Sequence, residues 1–462
     1  MNRDSALKKI KDKNFRALCE GIVADMKRLA VPGVSVAVWH GDQQWSAGLG
    51  VTSVDNPLPV TASTLFQIGS ISKTMLATLL MQLVEKGKLD LDTPVKKYIP
   101  SLRLSDAAVA EQVTTRHLLT HSGGWMGEYF NQYGYGNDAL DKMVKSLVRL
   151  PQISPLGAVS SYNNAGFTIA ARLVEVLTKE SYEVAATRRL FHPIGMTEAF
   201  FYPDDAIMTR RYAVGHLTWD GVATVANPWA IGRSTNAIGG VTCSAETLMA
   251  FAQFHSSDGN GIMQEATLKA MRSFQIHAGG RGDMGLSWFF HDHGPFVSYG
   301  HGGATKGQKG LFRFVPDEQF GFALLANSDR GGIVHDAAWI RALDIYMGYT
   351  ATPPVPEDRD SAALAPYIGA YDYAFSHFAV EAADGGFVIH ETPKGGFPTP
   401  TTPAGPPLPD VRARFIGPDT FVCLDEPRKD EVGDFIRGPN GSILYLRIGG
   451  RANLRIEQGV GK

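Results

Sequence analysis

Apolar residues are spaced in two different ways over the first fifty positions, and each pattern predicts its own element. Between residues 7 and 29 the apolar side chains recur at steps of three and four, with lysines and acids between them, which is typical of an amphipathic helix. The triplet Val31-Pro32-Gly33 should stop this helix. Two β-rich runs, residues 34–39 and 44–48, lie on either side of a glycine-containing turn and predict a hairpin.

Similar patterns predict further elements along the chain. A strongly apolar helix follows Ile71-Ser72-Lys73 and ends near residues 86–88. Residues 310–326 predict a second hairpin with its turn at 316–319, and residues 333–347 predict another helix. The inward-facing residues of that last helix should be Ala337, Ile340, Leu343 and Met347.

Helices and strands thus occur near both ends of the first three quarters of the chain. The middle, residues 114–273, is mainly helical pieces joined by loops rich in glycine, proline and asparagine. This order predicts an α+β fold rather than a βαβ repeat. One antiparallel sheet would be assembled from both ends of the chain, flanked by terminal helices, with an inserted helical subdomain.

A stiff proline-rich segment, Thr352-Pro353-Pro354-Val355-Pro356, is the clearest predicted boundary. After it come short alternating runs such as residues 387–390 and 443–448, interrupted by a proline-rich loop at 396–409. These runs predict a small all-β sandwich or barrel. The predicted parts are residues 1–351, the linker 352–359 and the C-terminal domain 360–462.

The composition limits the functions to consider. The 462 residues carry a net charge of −2 and are 44% hydrophobic, which is typical of a globular protein and argues against electrostatic binding of nucleic acid or acidic membranes. Cys19, Cys243 and Cys423 are too few and too scattered for a disulfide framework or a zinc knuckle. The first residues have no apolar segment like a secretory signal, and no stretch is long enough for a membrane span. We therefore expect a cytoplasmic protein.

The first candidate for chemistry is Ser70-Ile71-Ser72-Lys73, which opens the strongest predicted helix. Residues three apart share a helix face, so Ser70 Oγ and Lys73 Nζ can reach each other. A serine becomes nucleophilic beside a base, and a lysine with a lowered pKa can be that base. The spacing alone is a weak signal, because Ser5-Ala6-Leu7-Lys8 shares it and fits a solvated helix start.

The second candidate is Tyr162-Asn163-Asn164, in the helical middle of the chain. A tyrosine can shuttle a proton, and an asparagine two residues on can orient a neighbour or a substrate amide. The same Tyr-x-Asn spacing occurs at Tyr129-Phe130-Asn131 and Tyr135-Gly136-Asn137, so the spacing alone does not select one of the three.

The third candidate is His301-Gly302-Gly303-Ala304, just before the second predicted hairpin. Its glycines would let a substrate lie against the strand, with backbone N–H groups directed at an oxyanion. His-x-Gly also occurs at His121-Ser122-Gly123 and His277-Ala278-Gly279, so this pattern is also unspecific by itself.

The three motifs in this order resemble the serine β-lactamase/penicillin-binding-protein superfamily. More narrowly, they resemble the class C β-lactamase-related branch, which includes D-aminopeptidases, D-Ala-D-Ala carboxypeptidases and family VIII esterases. Further segments match in the same order: residues 31–38, 66–73, 115–124 and 193–197. The joint match is specific, although each motif alone is not.

The resemblance implies roles for the residues in the first two motifs. Ser70 would be the acylated nucleophile and Lys73 its base partner. Tyr162 would relay the proton to the leaving group and later activate water, and Asn164 would help to hold Lys73 and the substrate. Whether Lys73 or Tyr162 is the acylation base stays open.

The resemblance also implies roles around the third motif. His301 replaces the lysine of the family's Lys-Thr-Gly motif and, with Gly302 and Gly303, would orient the substrate. The oxyanion hole would be formed by the backbone N–H groups of Ser70 and Ala304. Because histidine titrates near neutral pH whereas lysine stays charged, the replacement favours D-configured peptides, amides or small esters over β-lactams.

The implied function is a serine hydrolase that forms and hydrolyses an acyl-enzyme on small amide or peptide substrates, with no cofactor and no metal. One alternative is a family VIII-like carboxylesterase or acyltransferase acting on small esters. Another is a non-catalytic, penicillin-binding-like sensor. The expected partner is a small molecule, with a homo-oligomer possible. No Gly-x-Ser-x-Gly elbow is present, and His291-Asp292-His293 is predicted to be a surface turn rather than a ligand pair.

Three loops and the C-terminal domain have open roles at this stage. Residues 124–136, 227–229 and 236–240 either line the pocket or simply pack as loops. The C-terminal domain resembles the lipocalin-like appendages of D-aminopeptidase-type members. It either inserts a loop into the cleft or serves as a packing or oligomerisation module.

Overall fold

The computed structural model describes residues 6–229, 231–374, 376–395 and 401–456, and all structural statements refer to these residues. The α-helices are α1 Lys13–Arg28, α2 Ser72–Glu85, α3 Ala107–Gln112, α4 Thr115–Leu119, α5 Ala139–Ser146, α6 Asn164–Thr178, α7 Tyr182–Ala186, α8 Pro203–Met208, α9 Ala245–Ser256, α10 Glu265–Arg272, α11 Gly331–Met347 and α12 Ser361–Leu364. The first twelve strands are β1 Gly33–His40, β2 Gln43–Gly50, β3 Phe66–Gln67, β4 His216–Trp219, β5 Val222–Val225, β6 Thr242–Cys243, β7 Ile276–His277, β8 Asp283–Met284, β9 Phe289–Asp292, β10 Val297–Thr305, β11 Gln308–Val315 and β12 Phe320–Ala326.

An eight-stranded sheet joins the two ends of the first part of the chain. Its strand order is β2-β1-β12-β11-β10-β9-β8-β7, and the paired strands are antiparallel. Strand β1 pairs with β12, so that Val36 lies opposite Leu324 and the chain closes over nearly 300 residues. The predicted α+β fold and both predicted hairpins are confirmed.

Helices α1 and α11 pack together on one face of this sheet. Residues 6 and 7 are helical as predicted, but the predicted helix is interrupted at residues 8–12. Helix α1 begins at Lys13, where the Asp12 carboxylate accepts the Phe15 N–H at 2.7 Å and caps it. Of the residues predicted to face inward from α11, Leu343 is buried, but Ile340 is half exposed, and Val334, Ala338 and Ala342 are buried instead. The helix is apolar nearly all round, so more than one stripe fits the helical period.

The inserted helical region packs on the other face of the sheet, around the buried helix α2. Residues 114–273 are mainly helical as predicted, but they also contain the hairpin β4–β5 and the strand β6, which pairs with β3. The pairing of Gln67 with Thr242 ties the segment before Ser70 to the inserted region. The start of α2 is therefore held between the sheet and the insertion.

The C-terminal part is a closed antiparallel barrel of eight strands, which confirms the all-β prediction. Its strands are β13 Gly369–Asp372, β14 Ser376–Ala383, β15 Gly386–Pro393, β16 Val411–Phe415, β17 Thr420–Cys423, β18 Val432–Arg437, β19 Ile443–Ile448 and β20 Arg451–Ile456. Alternate side chains fill the interior with a cluster of aromatic rings. Residues 396–400 of the predicted proline-rich loop lie outside the described residues, and the exact domain boundaries stay a prediction.

The barrel contacts the inserted region through its strands β18 to β20. The buried Arg447 donates to the carbonyl oxygens of Ser160 and His277, both at 3.0 Å, while Asp434 accepts from its guanidinium at 2.7 and 2.8 Å. Gly450, in the turn between β19 and β20, accepts the Tyr162 N–H at 2.9 Å. This hydrogen bond places the β19–β20 turn next to Tyr162, the tyrosine of the second candidate motif. Within the described residues, no helix is long and apolar enough to span a membrane.

Candidate active site

Ser70 lies in a single 3₁₀ turn, Gly69–Ile71, that leads directly into α2. The preceding Gly69 has φ +54°, and a Cβ at that position would lie 2.5 Å from the Ala304 nitrogen. Both the left-handed backbone and the close approach require glycine. Ser70 is therefore presented, half-buried, directly beside strand β10.

Lys73 lies one helical turn after Ser70 and points back at it. Its Nζ lies 3.0 Å from Ser70 Oγ and donates to the Ile238 carbonyl at 2.8 Å. The side chain is completely buried, and burial lowers its pKa well below the usual value. The Glu128 carboxylate opposes this shift, whereas the charges of Arg451 and Arg281 add to it. A neutral lysine amine beside a serine hydroxyl is a competent base.

Tyr162 is the tyrosine of the three Tyr-x-Asn motifs that reaches this pair. Lys73 Nζ lies 5.1 Å from the centre of its ring, and burial raises the pKa of the Tyr162 phenol to about 12. Its hydroxyl is thus protonated at neutral pH. Tyr129 instead pairs with the Tyr133 hydroxyl at 2.9 Å, and Tyr135 is largely exposed.

His301 is buried on β10, and its ring centre lies 5.9 Å from that of Tyr162. The sequence expectation that it titrates near neutral pH was wrong, because burial, aided by the Lys73 charge, lowers its pKa to about 3. Its Nδ1 contacts the Gly302 carbonyl, which can only accept, so Nδ1 carries the proton. Nε2 is then an acceptor, and it has no partner among the described residues.

The backbone of β10 approaches the Ser70 turn closely at its glycines. A Cβ at Gly303 would lie 1.9 Å from the Ile68 carbonyl, so no other residue fits there. Gly302 faces open space, where a Cβ would meet only the Gly310 carbonyl at 3.9 Å. Ser70 lies on the 3₁₀ turn and Ala304 on the strand, and the two segments are in close contact, since a Cβ on Gly69 would lie 2.5 Å from the Ala304 nitrogen.

Asn164, the first residue of α6, belongs to a network that sequence reasoning missed. Its Nδ2 donates to Glu128 at 2.8 Å, and among the described residues no hydrogen bond joins it to Lys73. The other Glu128 oxygen accepts from Arg451 Nε of the barrel at 2.6 Å. No local signal could reveal this network, because its carboxylate and guanidinium lie more than 300 residues apart.

His121 is a second residue that the sequence did not assign. Its ring centre lies 4.2 Å from that of Tyr162, and Nδ1 accepts the Asn163 N–H at 2.9 Å. Burial lowers the pKa of His121 well below its usual value, so the ring packs as a neutral group. Its φ of +55°, rare for a residue with a side chain, is a strained conformation of the kind found at functional sites.

Ser70, Tyr162, Asn164 and His301 line one cavity of about 790 Å³. The three loops at residues 124–136, 227–229 and 236–240 all contribute to its walls. The wall residues from these loops include Phe130, Gln132, Pro228, Trp229, Ile238 and Gly239. His291 also lines the cavity, from strand β9, and accepts a hydrogen bond from Arg313 at 3.0 Å. The predicted surface turn at His291-Asp292-His293 was therefore wrong. No group of three or more metal-ligating side chains occurs among the described residues.

Comparison with known proteins gives a family and its relatives. A family model described as Beta-lactamase matches residues 20–346. Penicillin-binding protein 4 of Amycolatopsis lactamdurans is 32% identical over 371 residues, which are 74% of this chain and 93% of that protein. Esterase EstB of Burkholderia gladioli is 27% identical over 202 residues, which are 41% of this chain and 50% of that protein.

Among solved structures, a crystal structure of SurE with D-Leu superposes on nearly the whole chain. The match covers 96% of this chain and 99% of that one, with a TM-score of 0.73 and 26% identity. The similarity therefore extends over the barrel as well as the sheet and the helical insertion.

Proposed function

The chain belongs to the beta-lactamase family and is a serine hydrolase of that superfamily; we propose that it acylates Ser70 with small amide or peptide substrates and then hydrolyses the acyl-enzyme. The observation that carries this proposal is the 3.0 Å contact between Ser70 Oγ and the Nζ of the fully buried Lys73. A serine with an amine of lowered pKa at this distance is equipped for nucleophilic attack.

In the proposed acylation, neutral Lys73 takes the proton of Ser70 Oγ as the oxygen attacks the substrate carbonyl. The negative charge on the carbonyl oxygen is stabilised by the Ser70 and Ala304 N–H groups. The Tyr162 hydroxyl, protonated at neutral pH, gives its proton to the leaving nitrogen and is reprotonated from Lys73. Water then attacks the ester carbonyl and gives up a proton to the Tyr162–Lys73 pair. The bond from the carbonyl carbon to Ser70 Oγ breaks, the pair passes the proton to Oγ, and the acid product leaves.

We assign D-configured residues to the acyl part of the substrate. The structure of SurE that matches almost the whole chain contains D-Leu. Neutral His301 supports a preference for peptides over β-lactams, because its Nε2 offers a substrate a hydrogen-bond acceptor and no positive charge, unlike the lysine it replaces. The cavity of about 790 Å³ has room for a short peptide.

Small esters are a second candidate class of substrate. The similarity to Esterase EstB over 41% of the chain favours this alternative, which keeps the same Ser70 chemistry. Esters have a better leaving group than amides and depend less on proton donation from Tyr162. The two classes therefore differ in how strongly they need that residue.

Covalent labelling tests the proposal directly. A fluorophosphonate probe should increase the mass of the folded protein by that of one bound probe, and peptide mapping should locate the adduct on Ser70. The Ser70→Ala variant should show neither labelling nor turnover. Comparing D-leucine p-nitroanilide, L-leucine p-nitroanilide and p-nitrophenyl acetate then separates amide from ester substrates. An unlabelled folded protein would point to a non-catalytic sensor, and hydrolysis of the ester alone would favour the esterase.

A further inference from the structure

The carboxylate of Glu183, on helix α7, lies behind the cavity wall and does not line the cavity itself. We propose that Glu183 is a positioning residue, which holds residues 233–240 so that the Ile238 carbonyl keeps the Lys73 amine directed at Ser70. This inference rests on the proposed function, because it concerns the base of the same reaction. It follows from the hydrogen bonds on the two sides of residues 233–240.

The inner side of residues 233–240 faces the cavity and Lys73. Ile238 and Gly239 line the cavity, and the Ile238 carbonyl accepts from Lys73 Nζ at 2.8 Å. The same nitrogen lies 3.0 Å from Ser70 Oγ. A neutral amine has two N–H groups and one lone pair, so a carbonyl that accepts one N–H restricts the direction of the lone pair. The position of this carbonyl therefore decides whether the lone pair can face the serine hydroxyl.

The outer side of the same segment is bound by Glu183. Its Oε1 accepts from Asn236 Nδ2 at 3.0 Å and from Arg233 Nε at 3.1 Å, and its Oε2 accepts from Arg233 Nη2 at 3.2 Å. Burial raises the pKa of Glu183, but the hydrogen bonds from Arg233 and Asn236 outweigh burial and leave the pKa below its usual value. The carboxylate is thus charged at neutral pH, and it fixes the segment two residues before Ile238.

Arg233 also joins this segment to a second wall of the cavity. Its Nη1 donates to the Tyr135 carbonyl at 2.6 Å, and Ser234 Oγ donates to the Asn131 carbonyl at 3.2 Å. Both carbonyls belong to the loop at residues 124–136, which contributes to the cavity walls. The ion pair between Glu183 and Arg233 therefore braces two wall segments from outside the cavity.

Removing the charge of Glu183 should displace residues 233–240. Glu183→Gln leaves the Arg233 guanidinium, whose side chain is only 11% exposed, without its anion. An unpaired buried charge is unfavourable, so Arg233 should move towards water and shift the segment with it. The Ile238 carbonyl would then move away from Lys73. Because a carbonyl binds an ammonium more strongly than an amine, the pKa of Lys73 should fall.

The pH–rate profile separates positioning from simple packing. In Glu183→Gln, the plateau of kcat/KM for p-nitrophenyl acetate should fall roughly 10- to 100-fold, because the base is misplaced. The acid limb should move lower by at least about 0.5 pH unit, because the carbonyl no longer favours the ammonium. Partial unfolding would lower the plateau without moving the limb. An acid limb that stays in place would therefore overturn the proposal.

Two further variants test the route of the effect. Asn236→Ser removes the hydrogen bond to Glu183 but keeps the ion pair, so its acid limb should also move lower, even if Glu183→Gln folds poorly. The matched control is Glu180→Gln, which removes a carboxylate that accepts from Arg189 Nε at 2.7 Å and does not line the cavity. Its plateau should stay within about twofold of the wild type. Equal effects of Glu180→Gln and Glu183→Gln would contradict a specific role of Glu183.

A readout without turnover makes the outcome independent of the covalent labelling test. In protein labelled with [ε-¹³C]lysine, the Lys73 resonance is identified by its loss in Lys73→Arg, and its titration reports the Lys73 pKa. Glu183→Gln should lower this pKa, and Glu180→Gln should not. Failure of the fluorophosphonate to label Ser70 would refute the serine-hydrolase proposal, whereas the lysine titration would still test Glu183. Labelling of Ser70 together with an unchanged Lys73 titration in Glu183→Gln would refute the positioning role alone.

Discussion

At the scale of single residues, the site depends on one buried amine placed among opposing charges. Glu128 raises the pKa of Lys73, whereas burial, Arg451 and Arg281 lower it. In the proposed mechanism Lys73 acts as a base only when it is neutral, so its pKa should set the acid limb of the pH–rate profile. Under this proposal, the balance of three neighbouring charges should set the pH at which the enzyme becomes active.

Two substitutions should move this acid limb in opposite directions. Glu128→Gln removes the anion that favours protonated Lys73, so the limb of kcat/KM should move to lower pH. Arg281→Met removes a cation, so the limb should move to higher pH. The measurement is kcat/KM for p-nitrophenyl acetate, a substrate without a carboxylate, across pH 5 to 9. Shifts of the same sign in both variants would contradict this account of Lys73.

Tyr162 offers a second prediction at this scale. Tyr162→Phe removes the proposed proton donor while keeping the ring that packs on His121, so amide hydrolysis should fall roughly 10²- to 10⁴-fold. The ester should lose less, because its leaving group needs less help. Tyr129→Phe is the matched control, since Tyr129 lies in the same kind of motif but bonds to Tyr133. A larger loss from Tyr129→Phe would show that the wrong tyrosine was chosen.

At the scale of elements, the turn between β19 and β20 is the part of the barrel that contacts the proposed active site. Gly450 in this turn has φ +74°, accepts the Tyr162 N–H and lies against Arg281. A side chain here would strain the turn and collide with the arginine. This short turn therefore places a barrel residue against two groups of the proposed active site.

Gly450→Ala should accordingly reduce activity beyond its effect on stability. The left-handed φ alone costs roughly 1–3 kcal/mol for alanine, and displacement of Arg281 adds a loss of kcat/KM that we expect to exceed about tenfold. The control is Gly441→Ala, at φ +81° in another barrel turn with nothing within 4 Å of the added Cβ. Both variants should lower Tm in calorimetry, Gly450→Ala by more because of its contact with Arg281, but only Gly450→Ala should lower kcat/KM. Equal activities would show that the turn only packs.

Elements and contacts formed by residues close together in the sequence could be predicted from it, whereas contacts between distant residues could not. The two main hairpins and α2 were predictable because each rests on local periodicity, and the spacing of Ser70 and Lys73 within one helical turn already implied their contact. The pairing of Glu128 with Arg451 was not, because it depends on how the closed barrel docks. Nor was the state of His301, whose pKa is set by burial that no motif records.

At the scale of the whole molecule, burial of neutral histidines links stability to pH. Burial lowers the pKa of several histidines on different elements: His121, His255, His291 and His301. Their pKa in the unfolded chain is near 6.5. Below that pH the unfolded state therefore binds protons that the folded state does not bind. The contribution of these histidines to the free energy of unfolding should therefore be fully present above about pH 6.5. The free energy of unfolding should decrease as the pH falls below that value.

His255 allows this linkage to be tested away from the active-site cavity. It is fully buried, with Nε2 3.0 Å from the Thr78 hydroxyl and its ring 4.6 Å from that of Phe251. Each such histidine should cost about 1.4 kcal/mol per pH unit below pH 6.5 until its folded pKa is reached. Calorimetric Tm values between pH 8 and 5 should fall on the acid side, less steeply in His255→Gln. The exposed His192→Gln should keep the wild-type slope, and an unchanged slope in His255→Gln would rule out this residue as a source of the acid sensitivity.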